Sequence, residues 1–200
     1  MLAAVLASSG LSLRAATVRS TRPLARWRSL SMADNDQGVA YRVQKSEAEW
    51  KQELSDDEYR ILRQKGTEYP GTGEYNKFYP KEGHFVCAAC QQPLYSAAAK
   101  FDSGCGWPAF DKIVEGSVVT QTDVSMGMQR VEIMCAGCGG HLGHVFEGER
   151  FTETNERHCV NSVSVKYVDA PLGEGKTEAK VLPEREETTA SDILSQLLGK

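Results

Sequence analysis

Two Cys-x-x-Cys pairs constrain this chain most: Cys87 with Cys90, and Cys135 with Cys138. Zn²⁺ takes four thiolates in a tetrahedron, and a Cys-x-x-Cys turn points two sulfurs at one ion. The 44 residues between Cys90 and Cys135 exceed the spacing of a simple zinc ribbon. A shared ion would therefore tie two distant stretches of one domain together. The alternatives are two redox pairs or two unrelated turns. A redox Cys-x-x-Cys usually opens a helix in a βαβ setting, and neither pair has that context. A closed four-cysteine site has no open coordination position, so its ion would be structural.

Two cysteines remain. Cys105 lies in Gly104-Cys105-Gly106-Trp107-Pro108, and Cys159 in Arg157-His158-Cys159-Val160-Asn161-Ser162. A guanidinium near Cys159 favours the thiolate, which is the nucleophilic form; the alternative is a buried structural cysteine. The Gly residues around Cys105 permit motion, which suits a thiol that attacks an oxidised partner. Trp107 offers either an apolar wall to a small group or a core anchor. In Gly140-His141-Leu142-Gly143-His144-Val145-Phe146 the two histidines fit metal ligands, acid–base groups or plain strand residues. His84 reads as structural.

Composition bounds the frame. Residues 1–33 carry five Arg and no acid, the pattern of a cleavable organelle-import sequence, with a disordered arm as the alternative. Mitochondrion and chloroplast are not separated by this pattern. A secretory signal fits less well, because the Arg residues follow the apolar stretch. Residues 34–45 read as a linker and 46–170 as one domain. That body is acidic: residues 34–170 hold 14 Lys+Arg against 21 Asp+Glu, which argues against a nucleic-acid phosphate backbone as partner. No apolar run is long enough to span a membrane. The 171–200 tail is polar and charged and is expected to be disordered. A monomer is the default expectation.

The body opens on two capping boxes, Ser46-Glu47-Ala48-Glu49 and Ser55-Asp56-Asp57-Glu58, which predict two short helices, the second stopping at Gly66. Glu68 to Pro80 reads as a long ordered loop. Strands are expected at His84–Cys87, Ser117–Thr120, Gln129–Cys135, His144–Phe146 and His158–Val168. The absence of a βαβ rhythm points to a mainly β, antiparallel domain.

Together these stretches resemble the type B methionine sulfoxide reductases, from about Ser46 to Tyr167. The resemblance rests on both Cys-x-x-Cys pairs, Gly-Cys-Gly-Trp-Pro, Gly-His-Leu-Gly-His-Val-Phe and Arg-His-Cys-Val-Asn-Ser, in that order. It implies a mainly β fold of two antiparallel sheets, barrel-like or sandwich and Mss4-like, with short N-terminal helices. It implies one structural Zn²⁺ on Cys87, Cys90, Cys135 and Cys138. The implied activity is that of a peptide-methionine (R)-S-oxide reductase engaged in protein repair. Cys159 would be the nucleophile and Cys105 the resolving thiol. His144, with His141, would supply a proton; Arg157 would hold the thiolate; Asn161 would orient substrate or water; Trp107 and Phe146 would bind substrate. His158 receives no catalytic role. The implied partners are oxidised proteins carrying methionine-R-sulfoxide and a thioredoxin-like reductant. The rival readings are a zinc-ribbon binding module and a general disulfide or peroxide reductase.

Overall fold

The computed structural model describes residues 41–182. The leader expected over 1–33 and most of the 34–45 linker lie outside the described residues.

Both capping boxes form. In α1 (Glu47–Glu53) the Glu49 amide donates to Ser46 Oγ, and the Ser46 amide donates to Glu49 Oε2 at 2.8 Å. In α2 (Asp56–Leu62) Ser55 and Glu58 repeat the exchange, with the Ser55 amide on Glu58 Oε2 at 2.9 Å. Each such cap stabilises by about 1 kcal/mol. The helices bury Trp50, Ile61 and Leu62. α2 stops before Gly66. Lys65 takes the left-handed backbone (φ 55°), and the Gly66 amide returns to the Arg60 carbonyl at 2.9 Å.

The strands are β1 (His84–Cys87), β2 (Pro93–Ser96), β3 (Lys100–Phe101), β4 (Ala109–Phe110), β5 (Ile113–Val114), β6 (Val118–Asp123), β7 (Arg130–Cys135), β8 (His141–Glu147), β9 (Glu156–Val160), β10 (Val165–Val168) and β11 (Glu178–Ala179). The larger sheet has the order β3-β4-β9-β8-β7-β6, and a smaller one has β10-β1-β2. All pairings are antiparallel. The larger sheet ends on β3 and β6 and does not close into a barrel. Phe85, Leu94, Tyr95, Phe110, Ile133, Leu142 and Val160 are fully buried and form one core with Trp50. Tyr95 stacks on Phe110 with ring centroids 4.1 Å apart.

Two expectations change. The run 158–168 is not one strand. It begins in β9, makes a 3₁₀ turn at Ser162–Ser164 and resumes as β10 in the other sheet. The cause is Glu68, whose carboxylate accepts the amides of Ser162 (2.6 Å) and Val163 (3.3 Å). Neither Gly nor Pro marks the break, so the alternating pattern hides it. Second, residues 171–182, expected to be disordered, return to the body. β11 pairs with β5, and the Val181 and Leu182 amides donate to the Glu156 carboxylate at 2.9 and 2.8 Å. The rest of the tail, 183–200, lies outside the described residues.

Candidate active site and metal centre

Cys87 ends β1 and Cys90 lies in the turn to β2; Cys135 ends β7 and Cys138 lies in the turn to β8. The two turns are built alike. Gln91 (φ 62°) and Gly139 (φ 72°) are left-handed, and their amides donate to the Cys87 and Cys135 carbonyls at 2.9 and 2.8 Å. The four sulfurs lie within 4.8 Å of one another, with Cys87–Cys138 at 3.7 Å and Cys90–Cys135 at 3.5 Å. Zn–S bonds of about 2.3 Å give a tetrahedron with edges of about 3.8 Å. Cys135, Cys138 and Cys90, then burial, push the Cys87 thiol well up. A divalent cation relieves that crowding by binding all four as thiolates. Donor set and spacing therefore fit a metal ion.

The second centre is a dithiol. Cys159 in β9 pairs in register with Ala109 of β4 and His144 of β8. Cys105 is carried by the loop before β4. The Gly71 amide donates to the Gly106 carbonyl at 2.7 Å; a Cβ on Gly106 (φ 92°) would meet Pro70 Cβ at 2.8 Å. This close fit brings Cys105 Sγ to 3.5 Å from Cys159 Sγ, and both thiols are free. A sulfur–sulfur hydrogen bond joins them. The hydrogen bond from Cys159 pulls Cys105 down to about 5. The same bond, then burial and the charge on Cys105, push Cys159 up, while Arg157 opposes that rise.

Cys159 lines a cleft of about 120 Å³ with Trp107, His141, His144, Phe146 and Asn161, all expected, and with Thr67, Arg130 and Gly143, which were not. Each histidine is backed by a carboxylate. His144 Nε2 lies 2.7 Å from Asp123 Oδ2, and Asp123 also takes Arg130 at 2.7 Å. The Ser125 hydroxyl and amide, then His144, hold the Asp123 carboxyl well below its usual range. An ionised carboxylate only accepts, so His144 Nε2 carries the proton of that bond. Burial lowers His144 from its ordinary value; Asp123 opposes this, and Arg130 and His141 add to it. His141 Nδ1 lies 2.7 Å from Glu132 Oε1, and Lys65 holds Glu132 Oε2 at 2.7 Å. Burial would raise Glu132, but His141 and Lys65 bring it below its ordinary value.

The other expected residues are placed as follows. Arg157 does not line the cleft. Glu149 grips its guanidinium at 2.5 and 2.7 Å, and the group lies 4.4 Å from the centre of the Phe146 ring. Asn161 is buried; its Oδ1 accepts the Glu68 amide and its Nδ2 donates to the Leu142 carbonyl, both at 3.1 Å. Trp107 Nε1 donates to the Glu68 carbonyl at 3.2 Å. His84 binds the Ala170 carbonyl and His158 the Glu156 carboxylate, both at 2.8 Å and away from the cleft.

Residues 54–169 match the SelR domain. The chain belongs to the SelR-domain family, the type B methionine sulfoxide reductases. Among its relatives, an uncharacterised protein of Schizosaccharomyces pombe is 54% identical over 130 residues, covering 64% of this chain and 94% of that protein. Peptide methionine sulfoxide reductase B5 of Oryza sativa subsp. japonica is 59% identical over 128 residues, 64% of this chain and 92% of its own. The chloroplastic peptide methionine sulfoxide reductase B2 of Arabidopsis thaliana is 60% identical over 126 residues, 62% of this chain and 61% of its own.

Within this SelR domain, sequence reasoning missed the residues that support the expected ones. Asp123 and Glu132 reach the histidines from β6 and β7, and nothing local to either acid marks it. Arg130 lines the cleft and binds Asp123, yet its Nε has no hydrogen-bond partner among the described residues. Glu68 was read only as the start of a loop.

Proposed function

We propose that this protein reduces the R epimer of methionine sulfoxide in polypeptides, with Cys159 as nucleophile and Cys105 as resolving thiol. One observation carries the reading: two free thiols touch at 3.5 Å beside a cleft lined by Trp107 and two carboxylate-backed histidines. The cleft, about 120 Å³, is smaller than the ~300–1,000 Å³ that encloses a whole small ligand. It suits the end of one side chain, as an oxidised protein presents it.

In the proposed course, Trp107 and Phe146 receive the S-methyl group, which selects the face of the sulfur that meets Cys159. Cys159 passes its proton to Cys105 across their hydrogen bond and, as the thiolate, attacks the sulfoxide sulfur while protonated His144, with His141, gives the oxygen a proton. Arg157 holds the charge on Cys159, and Asn161 keeps its strand in place. The new sulfur–sulfur bond and the substrate S–O bond then break as the hydroxyl passes to Cys159, leaving a sulfenic acid and methionine, two electrons richer. Cys105 attacks the sulfenic sulfur; the S–O bond breaks and the oxygen departs as water. The balance is one sulfoxide and two thiols to one thioether, one disulfide and one water. A thioredoxin-like dithiol restores both thiols by exchange.

Cys87, Cys90, Cys135 and Cys138 would hold one Zn²⁺, which supplies a cross-link between the ends of β1 and β7 and no chemistry. Import into a mitochondrion or chloroplast fits the acid-free leader, and two relatives are named as chloroplastic.

The test offers separate R and S epimers of a methionine-sulfoxide peptide to the purified chain, with dithiothreitol as reductant. Consumption of R alone is expected. If folded, metal-loaded protein consumes neither, the reading fails and a binding module takes its place.

A further inference from the structure

Glu68 joins the two sides of the cleft, and we propose that it is the positioning residue that sets the gap between Trp107 and Cys159. This rests on the reading above, in which that gap receives the S-methyl group.

Glu68 uses every group it has. Its carbonyl accepts the Trp107 indole N–H at 3.2 Å, and its amide donates to Asn161 Oδ1 at 3.1 Å. Its carboxylate accepts the amides of Ser162 and Val163 at 2.6 and 3.3 Å. One residue thus grips the indole on one side and, on the other, the turn that begins three residues after Cys159.

The turn explains why a carboxylate is needed. Asn161 occupies the N-cap position of Ser162–Ser164 but makes no side-chain cap bond. Its side chain is spent on Glu68 and on Leu142. The free amides at the start of a helical turn need an acceptor, and Glu68 supplies it from 94 residues away. The exchange is reciprocal, as in a capping box, but it spans two segments. The first segment carries Thr67 and holds the Trp107 indole, and the second carries Cys159 and Asn161; all four line the cleft.

The arrangement is tight. Glu68 is 8% exposed. A Cβ on Gly73 would lie 2.4 Å from Ser162 Cβ and 2.7 Å from Glu68 Oε1. The Tyr75 amide donates to Ser162 Oγ at 2.8 Å, so the loop closes directly over the carboxylate. No described ion pair involves Glu68. Its carboxylate bonds the backbone of the turn, and the charge of Arg60 adds a smaller effect than the Ser162 and Val163 amides.

Glu68→Gln keeps one acceptor and turns the other into a donor facing an amide. The turn then loosens against residue 68, and the gap to Trp107 widens. The measurement compares kcat/KM for one peptide carrying methionine-R-sulfoxide or its S-ethyl homologue. A snug apolar site discriminates one methylene by roughly 10–200-fold, and the variant is expected to lose about tenfold of that preference. A smaller active fraction lowers both rates and leaves their ratio unmoved. A parental ratio in Glu68→Gln therefore overturns the proposal, whatever its absolute rate. If that variant does not fold, Glu68→Asp, which keeps the charge and shortens the reach, is held to the same ratio. A parent that reduces neither peptide overturns the underlying function, a result distinct from a parent that discriminates and a variant that matches it.

Discussion

His144 and Cys159 stand directly opposite one another in the β8–β9 ladder. The proposed proton donor and nucleophile are therefore placed by one strand register. A one-residue slip would send one of them to the opposite face of the sheet, because side chains alternate with period two. Gly143 borders this pair, and a Cβ there would sit 1.9 Å from the Cys159 carbonyl oxygen.

Gly143→Ala therefore forces β8 away from β9 at His144 and Cys159. The expected cost is about 3 kcal/mol of stability, at the upper end of ordinary single substitutions. Urea unfolding of the variant beside the parent measures it. A midpoint equal to the parent's would mean that the ladder absorbs a methyl group there.

Asp123→Asn should act through pH. Asp123 stabilises protonated His144 and so opposes the burial that lowers its pKa. Without the carboxylate, that pKa falls further. The proposed step needs protonated His144, so the rate declines as pH rises through its pKa. The decline should therefore begin at lower pH in the variant. A shift of one unit makes the variant about tenfold slower above both values. The check is kcat/KM against pH with the R-epimer peptide; an unmoved limb removes His144 from the proton step.

Cys105→Ser removes the strongest influence raising Cys159, leaving Arg157's charge against burial. Cys159 should then be alkylated by iodoacetamide roughly tenfold faster at pH 7 than in the parent, because the thiolate is the reactive form. The same variant should release one methionine per chain and then stall with thioredoxin. Sustained turnover with that reductant would remove Cys105 from the resolving role.

Cys135→Ser breaks the four-sulfur cluster. Loss of bound zinc and a melting temperature lower by about 10 °C are expected, with activity falling only as unfolding sets in. Metal analysis and calorimetry on one preparation test this. A variant as heat-resistant as the parent would show that the cluster does not staple the fold.

The legible parts of this protein are those whose causes are local. Ser46 with Glu49 and Ser55 with Glu58 predicted two helix starts, because a capping box is complete within four residues. His84–Cys87 read correctly as a strand, and all four residues are buried. β3, β4 and β5 have two residues each, too few for an alternation to register. Lys65, not a glycine, is the left-handed residue after α2. The Ser162–Ser164 turn is made by a carboxylate far away in sequence, so no local pattern betrays it.

By itself the sequence determined the chemistry available: four thiols at metal-ligand spacing, two more in separate Gly-Trp and Arg-His contexts, and two histidines three residues apart. Spacing and residue type carry that information, because ligand geometry and thiol reactivity belong to the groups themselves. Tertiary structure alone decided the distances and charge states. It put Cys105 against Cys159, Asp123 behind His144, Glu132 behind His141, and Glu68 between Trp107 and the turn after Cys159. These pairings join segments from 9 to 94 residues apart, and burial with strand register, which no local pattern encodes, brings them together.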